Sequence, residues 1–137
     1  MAFNFKQKIK EFEAQKRNLP AILGNMAKRH FVEGFRKGGF TDINFDPWKE
    51  RKRKDKSDRN TGTRRAILVK TGHLRNSIRV RIANFNLIEI GAYGVPYAVF
   101  HNTGAGKMPK RQFIGESATL SKKIKLRINK EFKSILK

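Results

Sequence analysis

Residues 49–65, KERKRKDKSDRNTGTRR, hold no apolar side chain. A stretch of that composition has no face to bury and cannot join a hydrophobic core. It therefore reads as a mobile basic loop, suited to phosphate or to an acidic protein surface and ordering on assembly. Any core must come from the flanks, which carry all 11 phenylalanines and the single tryptophan. At 137 residues the chain has the length of one domain.

The first flank, residues 1–37, predicts N-terminal helices. Phe5, Ile9, Phe12 and Leu19 fall near one face at helical spacing. Asn18-Leu19-Pro20 reads as a break, with Pro20 opening a second helix that runs to about Arg36. Its stripe is Ile22, Leu23, Met26, Ala27, Phe31 and Phe35, and Gly38-Gly39 ends it. Residues 40–48, FTDINFDPW, predict an aromatic loop that turns at Asp46-Pro47, with Trp48 anchored over the core.

The second flank divides at residue 116. Residues 66–116 form a sheet and motif region. Ala66 to Lys70 predicts a short strand, and Thr71 caps a helical turn over His73 to Asn76. From Ser77 to Ala83 the pattern alternates, with Ile78, Val80 and Ile82 on one face and Arg79 and Arg81 on the other. Asn84-Phe85-Asn86 predicts a turn, and Leu87 to Gly91 the return strand. Tyr97 to Phe100 is a short helix or strand before a glycine loop. In residues 117–137, Leu120, Ile124, Ile128, Phe132 and Ile135 share one face of a C-terminal helix whose other face is basic. The expected fold is a single α+β domain over 1–137. Its small antiparallel sheet has strands near 67–70, 77–83 and 87–91, and packs against N- and C-terminal helices.

The net charge is +21. It is spread as +5 over residues 1–29, −1 over 30–48, +6 over 49–65, +5 over 66–116 and +6 over 117–137. A chain so charged repels itself and calls for a polyanion or an acidic partner. Arg51, Lys52, Arg53, Lys54, Arg79 and Arg81 are the candidate contacts to DNA or to such a partner.

Catalytic patterns are missing. There is no cysteine, and His30, His73 and His101 have neither the i, i+4 spacing nor the HExxH pattern of a metal helix. Gly104-Ala105-Gly106-Lys107 fails as a phosphate-binding loop, because His101 stands at the first glycine position and Met108 at the Ser/Thr position. The chain reads as no enzyme, with no cofactor and no metal. No apolar run reaches the roughly 18 residues of a membrane span, and residues 1–10 lack the apolar block of a signal peptide.

One ordered set of motifs remains. Trp48 closes an aromatic segment before the basic loop. Then come Thr71-Gly72-His73-Leu74-Arg75-Asn76-Ser77-Ile78, a hairpin ending at Ile90-Gly91, Tyr97-Ala98-Val99-Phe100-His101-Asn102-Thr103-Gly104, and Pro109-Lys110-Arg111-Gln112-Phe113-Ile114-Gly115. In order and spacing this resembles the phage virion morphogenesis family, the tail completion proteins of Mu-like and related tailed phages. The motifs cover roughly residues 30–120, and Lys110 stands where that family usually has alanine.

The resemblance implies a structural neck, head–tail connector or tail-completion protein of a tailed phage or prophage. It would be made in the host cytoplasm and end at the head–tail junction of the virion. The implied partners are further copies in a hexameric ring, other neck, connector and tail-tube proteins, and genomic DNA in the lumen, with no membrane. The assembly residues are then Trp48, Thr71, Gly72, Leu74, Ser77, Ile78, Tyr97, His101, Gly104, Pro109, Arg111 and Phe113. His101 is expected to bond a backbone carbonyl and hold the glycine loop. Loop 102–110 would be a mobile arm meeting a neighbour. Arg111 would pair with a carboxylate or carbonyl across an interface, or lock the loop. Phe113 and Ile114 would plug a hydrophobic groove. A small basic nucleic-acid-binding protein is the alternative.

Overall fold

The computed structural model describes residues 2–53 and 65–137. Most of the basic loop, including Lys54, lies outside the described residues, and so does the expectation that it is mobile.

Helix α1 runs from Phe5 to Lys37. Asn4 caps it, its Oδ1 accepting from Gln7 N at 3.1 Å. Gly38 ends it at φ 76°, donating its N–H to the Gly34 carbonyl at 2.8 Å, while Arg36 and Lys37 complement the dipole of the last turn. The predicted break at 18–20 is absent, and Pro20 sits inside one continuous helix. An interior proline costs about 3 kcal/mol. Here Leu19, Pro20 and Leu23 are all buried, and each large apolar side chain taken from water returns about 1.5–3 kcal/mol. Packing therefore overrides the local breaker. The contact is close: a Cβ on Gly24 would lie 3.1 Å from Val80 Cγ1.

Strands β1 (Gly39–Thr41) and β2 (Phe45–Pro47) pair antiparallel, Gly39 opposite Pro47 and Thr41 opposite Phe45. The segment read as an aromatic loop is thus a tight hairpin. Its strands are too short to alternate visibly, and Pro47 sits at the end of the ladder, where proline is tolerated. Trp48 N continues the pairing by donating to the Gly38 carbonyl at 2.8 Å.

The expected strand at 67–70 does not form. Val69 N donates to the Ala66 carbonyl at 3.3 Å, and Leu68 takes a positive φ of 61°. These side chains fold as a turn against the core surface. A short turn, α2 (His73–Asn76), leads into β3 (Ile78–Ala83), which pairs antiparallel with β4 (Ile88–Ala92). The ladder is irregular between Val80 and Ile82, so Arg81 has no partner across it. Asn84 makes the turn, its Oδ1 accepting from Asn86 N at 3.0 Å and Leu87 N at 2.8 Å. The three-stranded sheet of the sequence reading is thus two separate two-stranded sheets.

Helix α3 (Ala98–Thr103) precedes a loop to residue 117, and Ser117 caps α4 (Ala118–Leu136) by accepting from Leu120 N at 3.2 Å. Helix α4 lies antiparallel along α1. Phe12 meets Phe132 at 5.5 Å near one end, and His30 meets Ser117 at 3.1 Å near the other. The core centres on Phe35, which is fully buried between Trp48 at 5.3 Å and Phe113 at 5.6 Å. The α+β class holds. No helix among the described residues is long and apolar enough to cross a membrane.

Candidate assembly interface

The motif residues converge from distant parts of the chain. Thr71, Gly72, Leu74, Tyr97, His101 and Arg111 line one cleft of about 570 Å³, with Arg51, Arg65, Lys70 and His73 at its wall. Gly72 takes φ 74°, which lets the chain turn into α2, and Thr71 Oγ1 accepts from His73 N at 3.3 Å. Leu74 and Ile78 then reach the core as expected. Between them Ser77 is buried, its hydroxyl donating to the Leu74 carbonyl at 2.6 Å.

Tyr97, the N-cap of α3, meets His101 one turn on, with ring centroids 5.9 Å apart, edge to face. Burial, and secondarily the Arg111 cation, hold the His101 imidazole below its ordinary range. Its Nδ1 is buried without a hydrogen-bond partner among the described residues. The expected bond from the His101 ring to a backbone carbonyl is not among the hydrogen bonds of the described residues. The loop is held instead by the His101 carbonyl, which accepts from Arg111 N at 2.8 Å, and by Asn102. Asn102 Oδ1 accepts from Phe113 N at 2.9 Å and from Ile114 N at 3.1 Å. Asn102, the next residue, is the one that faces these two amides. Asn102 carries no sequence signal beyond its place in the motif.

Gly104 ends α3 at φ 73°, and a Cβ there would lie 2.8 Å from Lys110 Cβ. The loop that follows is thus closed at its base, with Met108 exposed and Pro109 half-buried. Its first two residues, Asn102 and Thr103, are helical rather than part of an arm.

Arg111 is buried and locks the loop within its own chain. Its Nε donates to the Lys49 carbonyl at 2.9 Å, and Nη2 to the Glu50 carbonyl at 3.4 Å. Burial, then the Arg51 charge, lower its pKa. Phe113 fills the protein's own core rather than a groove of another subunit, with Ile114 packed beside it. Trp48 is the anchor the sequence predicts, its Nε1 donating to the Gln112 carbonyl at 2.6 Å.

The basic candidates separate. Arg51 Nη2 donates to the Arg65 carbonyl at 2.5 Å. A second hollow, of about 530 Å³, joins Lys49 to Arg53 with Gly106 to Pro109. Lys52 and Arg53 are exposed there. On the hairpin Arg79 and Arg81 are both exposed, but Arg81 lies 3.4 Å from Glu89 and over the Tyr93 ring. Tyr93 donates to the same carboxylate at 2.8 Å, which holds its phenol proton and raises its pKa.

One further cluster has no sequence signal. Ser117 Oγ donates to the Thr41 carbonyl at 2.6 Å and sits 3.1 Å from His30 Nε2. Asp42 Oδ1 accepts from Ala118 N at 2.8 Å. Serine, histidine and aspartate meet here, but the aspartate caps α4 instead of orienting the imidazole. The group ties α4 to the β1–β2 turn.

Exposed apolar side chains include Ile43 and Phe45 on the first hairpin, Phe85 and Leu87 at the β3–β4 turn, and Leu126 and Leu136 on α4, but they gather in groups of four at two other places. Phe3, just before α1, and Phe5, Ile9 and Phe12 along its first turns are 61%, 72%, 54% and 43% exposed. Tyr97, Val99, Phe100 and Met108 stand out around α3, which packs by the other end of α1.

Residues 7–133 match the phage virion morphogenesis family, so the match extends into α1 and α4, beyond the motifs of residues 30–120. No curated protein and no solved structure matches the chain.

Proposed function

The chain belongs to the phage virion morphogenesis family, and on that premise we propose that it is a neck or tail-completion subunit. It would assemble into a ring, hexameric in the simplest reading, at the head–tail junction of a tailed phage or prophage. Its partners would be its own copies and the connector and tail-tube proteins on either side. The work is assembly, not catalysis.

The observation that supports this is the pair of apolar patches towards opposite ends of α1. A 33-residue helix is about 50 Å long. Two different apolar patches set apart along it suit a heterologous contact, the first of one copy against the second of the next, and such a contact makes a ring when its rotation closes. The closed loop 104–110 would carry Met108 into that contact.

The test is size-exclusion chromatography with light scattering, on the chain alone and mixed with purified tails. A multimer is expected in one or both. The double variant Phe5→Asp, Ile9→Asp is expected to abolish it with the circular dichroism spectrum unchanged, because both side chains are more than half exposed in the single chain. A parent that stays monomeric in both mixtures refutes the ring.

A further inference from the structure

About half of the net charge lies on the two long helices. Helices α1 and α4 together carry fifteen Lys and Arg against four Glu. Three of those glutamates are engaged within their own helices, Glu11 by Lys8, Glu33 by Arg36 and Glu131 by Arg127. The apolar faces of α1 and α4 are turned towards each other and the sheets, so the lysines are left outside. Lys122, Lys125, Lys130 and Lys133 are all exposed. Lys122, Lys130 and Lys133 lie away from the row of Leu120, Ile124, Ile128 and Ile135, with the exposed Leu126 among them, while Lys125 flanks that row; Lys122 and Lys133 fall on one line roughly three turns apart. Beside them Arg29 and Lys37 of α1 meet Lys123 of α4 at a groove of about 340 Å³ along the seam. The charges of Lys123 and Lys37 both reach His30 in that groove and help to lower its pKa. The hairpin, by contrast, offers only Arg79 and an Arg81 already answered by Glu89.

We propose that the outer face of the α1–α4 pair is a docking surface for the phosphate backbone of duplex DNA, read without regard to sequence. Eleven of the fifteen cations are lysine. Lysine binds phosphate as a point charge on a flexible stem, without the fixed fork geometry of arginine, which suits a regular array of phosphates met without regard to sequence. The α4 row from Lys122 to Lys133 spans about 17 Å, long enough to meet successive phosphates along a groove edge. The surface stands whether the chain is a monomer or a ring, so its failure is separate from failure of the assembly reading.

The test is fluorescence anisotropy of the full chain on a mixed-sequence duplex of about 30 base pairs, from about 50 to 200 mM salt. Removing Lys122, Lys125, Lys130 and Lys133 together as glutamine is expected to make the slope of log K against log salt shallower by about 3 to 4. A matched variant, Arg51→Gln, Lys52→Gln, Arg53→Gln, Arg79→Gln, loses the same charge and is expected to shift the slope by about 1 or less. Lys122→Glu with Lys133→Glu, both outward, repeats the first test with minimal risk to folding, checked by circular dichroism. Two unrelated duplex sequences should bind equally. The proposal is overturned by no DNA binding, by a larger loss in the loop and hairpin variant, by strong sequence preference, or by polyglutamate binding as tightly as DNA at equal salt.

Discussion

Replacing Asn102 by alanine removes one oxygen and strands two backbone donors. Asn102 Oδ1 accepts from Phe113 N at 2.9 Å and Ile114 N at 3.1 Å. These bonds hold the 111–114 segment so that Phe113 stays against Phe35 and Arg111 reaches the carbonyls of residues 49 and 50. An amide left unpaired in a buried site costs about 1–3 kcal/mol. Both bonds are only part-buried, so the lower end applies, and Asn102→Ala is expected to cost about 2–3 kcal/mol. For a chain of this size that lowers Tm by roughly 8–12 °C. The urea midpoint should fall with the slope m unchanged. Asn102→Asp keeps an acceptor in place, and at pH 7 its charge is welcome in a strongly cationic chain. It should stay within about 1 kcal/mol of the parent. Hydrogen exchange gives the local readout: the amides of Phe113 and Ile114 should be protected in the parent and in Asn102→Asp, and exposed in Asn102→Ala. An alanine variant melting with the parent, or an aspartate variant falling as far as alanine, refutes the reasoning.

Gly104→Ala should be destabilising beyond the roughly 1–2 kcal/mol of a left-handed alanine, because its Cβ would meet Lys110 at 2.8 Å. Gly106→Ala, at φ 69° with open space around it, should cost only the conformational part, and thermal melts of the pair separate the two effects. Stability should also depend on pH through His30 and His101, both held below 6.5, chiefly by burial. At His30 the nearby Lys123 and Lys37 add to this and the Thr41 carbonyl opposes it, while at His101 Arg111 adds to it. The unfolded chain takes up protons near pH 6.5 that the folded chain refuses. The contribution is therefore full above that pH and is lost as pH falls through the folded values. Melts from about pH 7.5 to 5 should show the decline, His30→Gln and His101→Gln should flatten it, and a level parent profile would contradict it.

What the sequence by itself determined was whatever a short window of chain decides. Alternation at 78–82 made a strand, Asn84 made a turn, the stripe from Leu120 to Ile135 made a helix, and Gly72 allowed a left-handed bend. Trp48 and Arg111 were legible as anchors because large or charged side chains in an ordered motif have few roles. Tertiary structure decided the rest, wherever a distant surface outweighed local preference. Pro20 continues a helix because the β3–β4 hairpin and α4 bury its neighbours. Ile67 to Val69 fold as a turn whose side chains pack against the core, while Gly39 to Pro47 pair because Phe40 and Trp48 are held by Phe31 and Phe35. Asn102 replaces His101 as the clasp because only the meeting of α3 with residues 113 and 114 puts two amides before it. The charge was countable from the start, but its concentration on one helical layer appears only when α1 and α4 turn their apolar rows inward together.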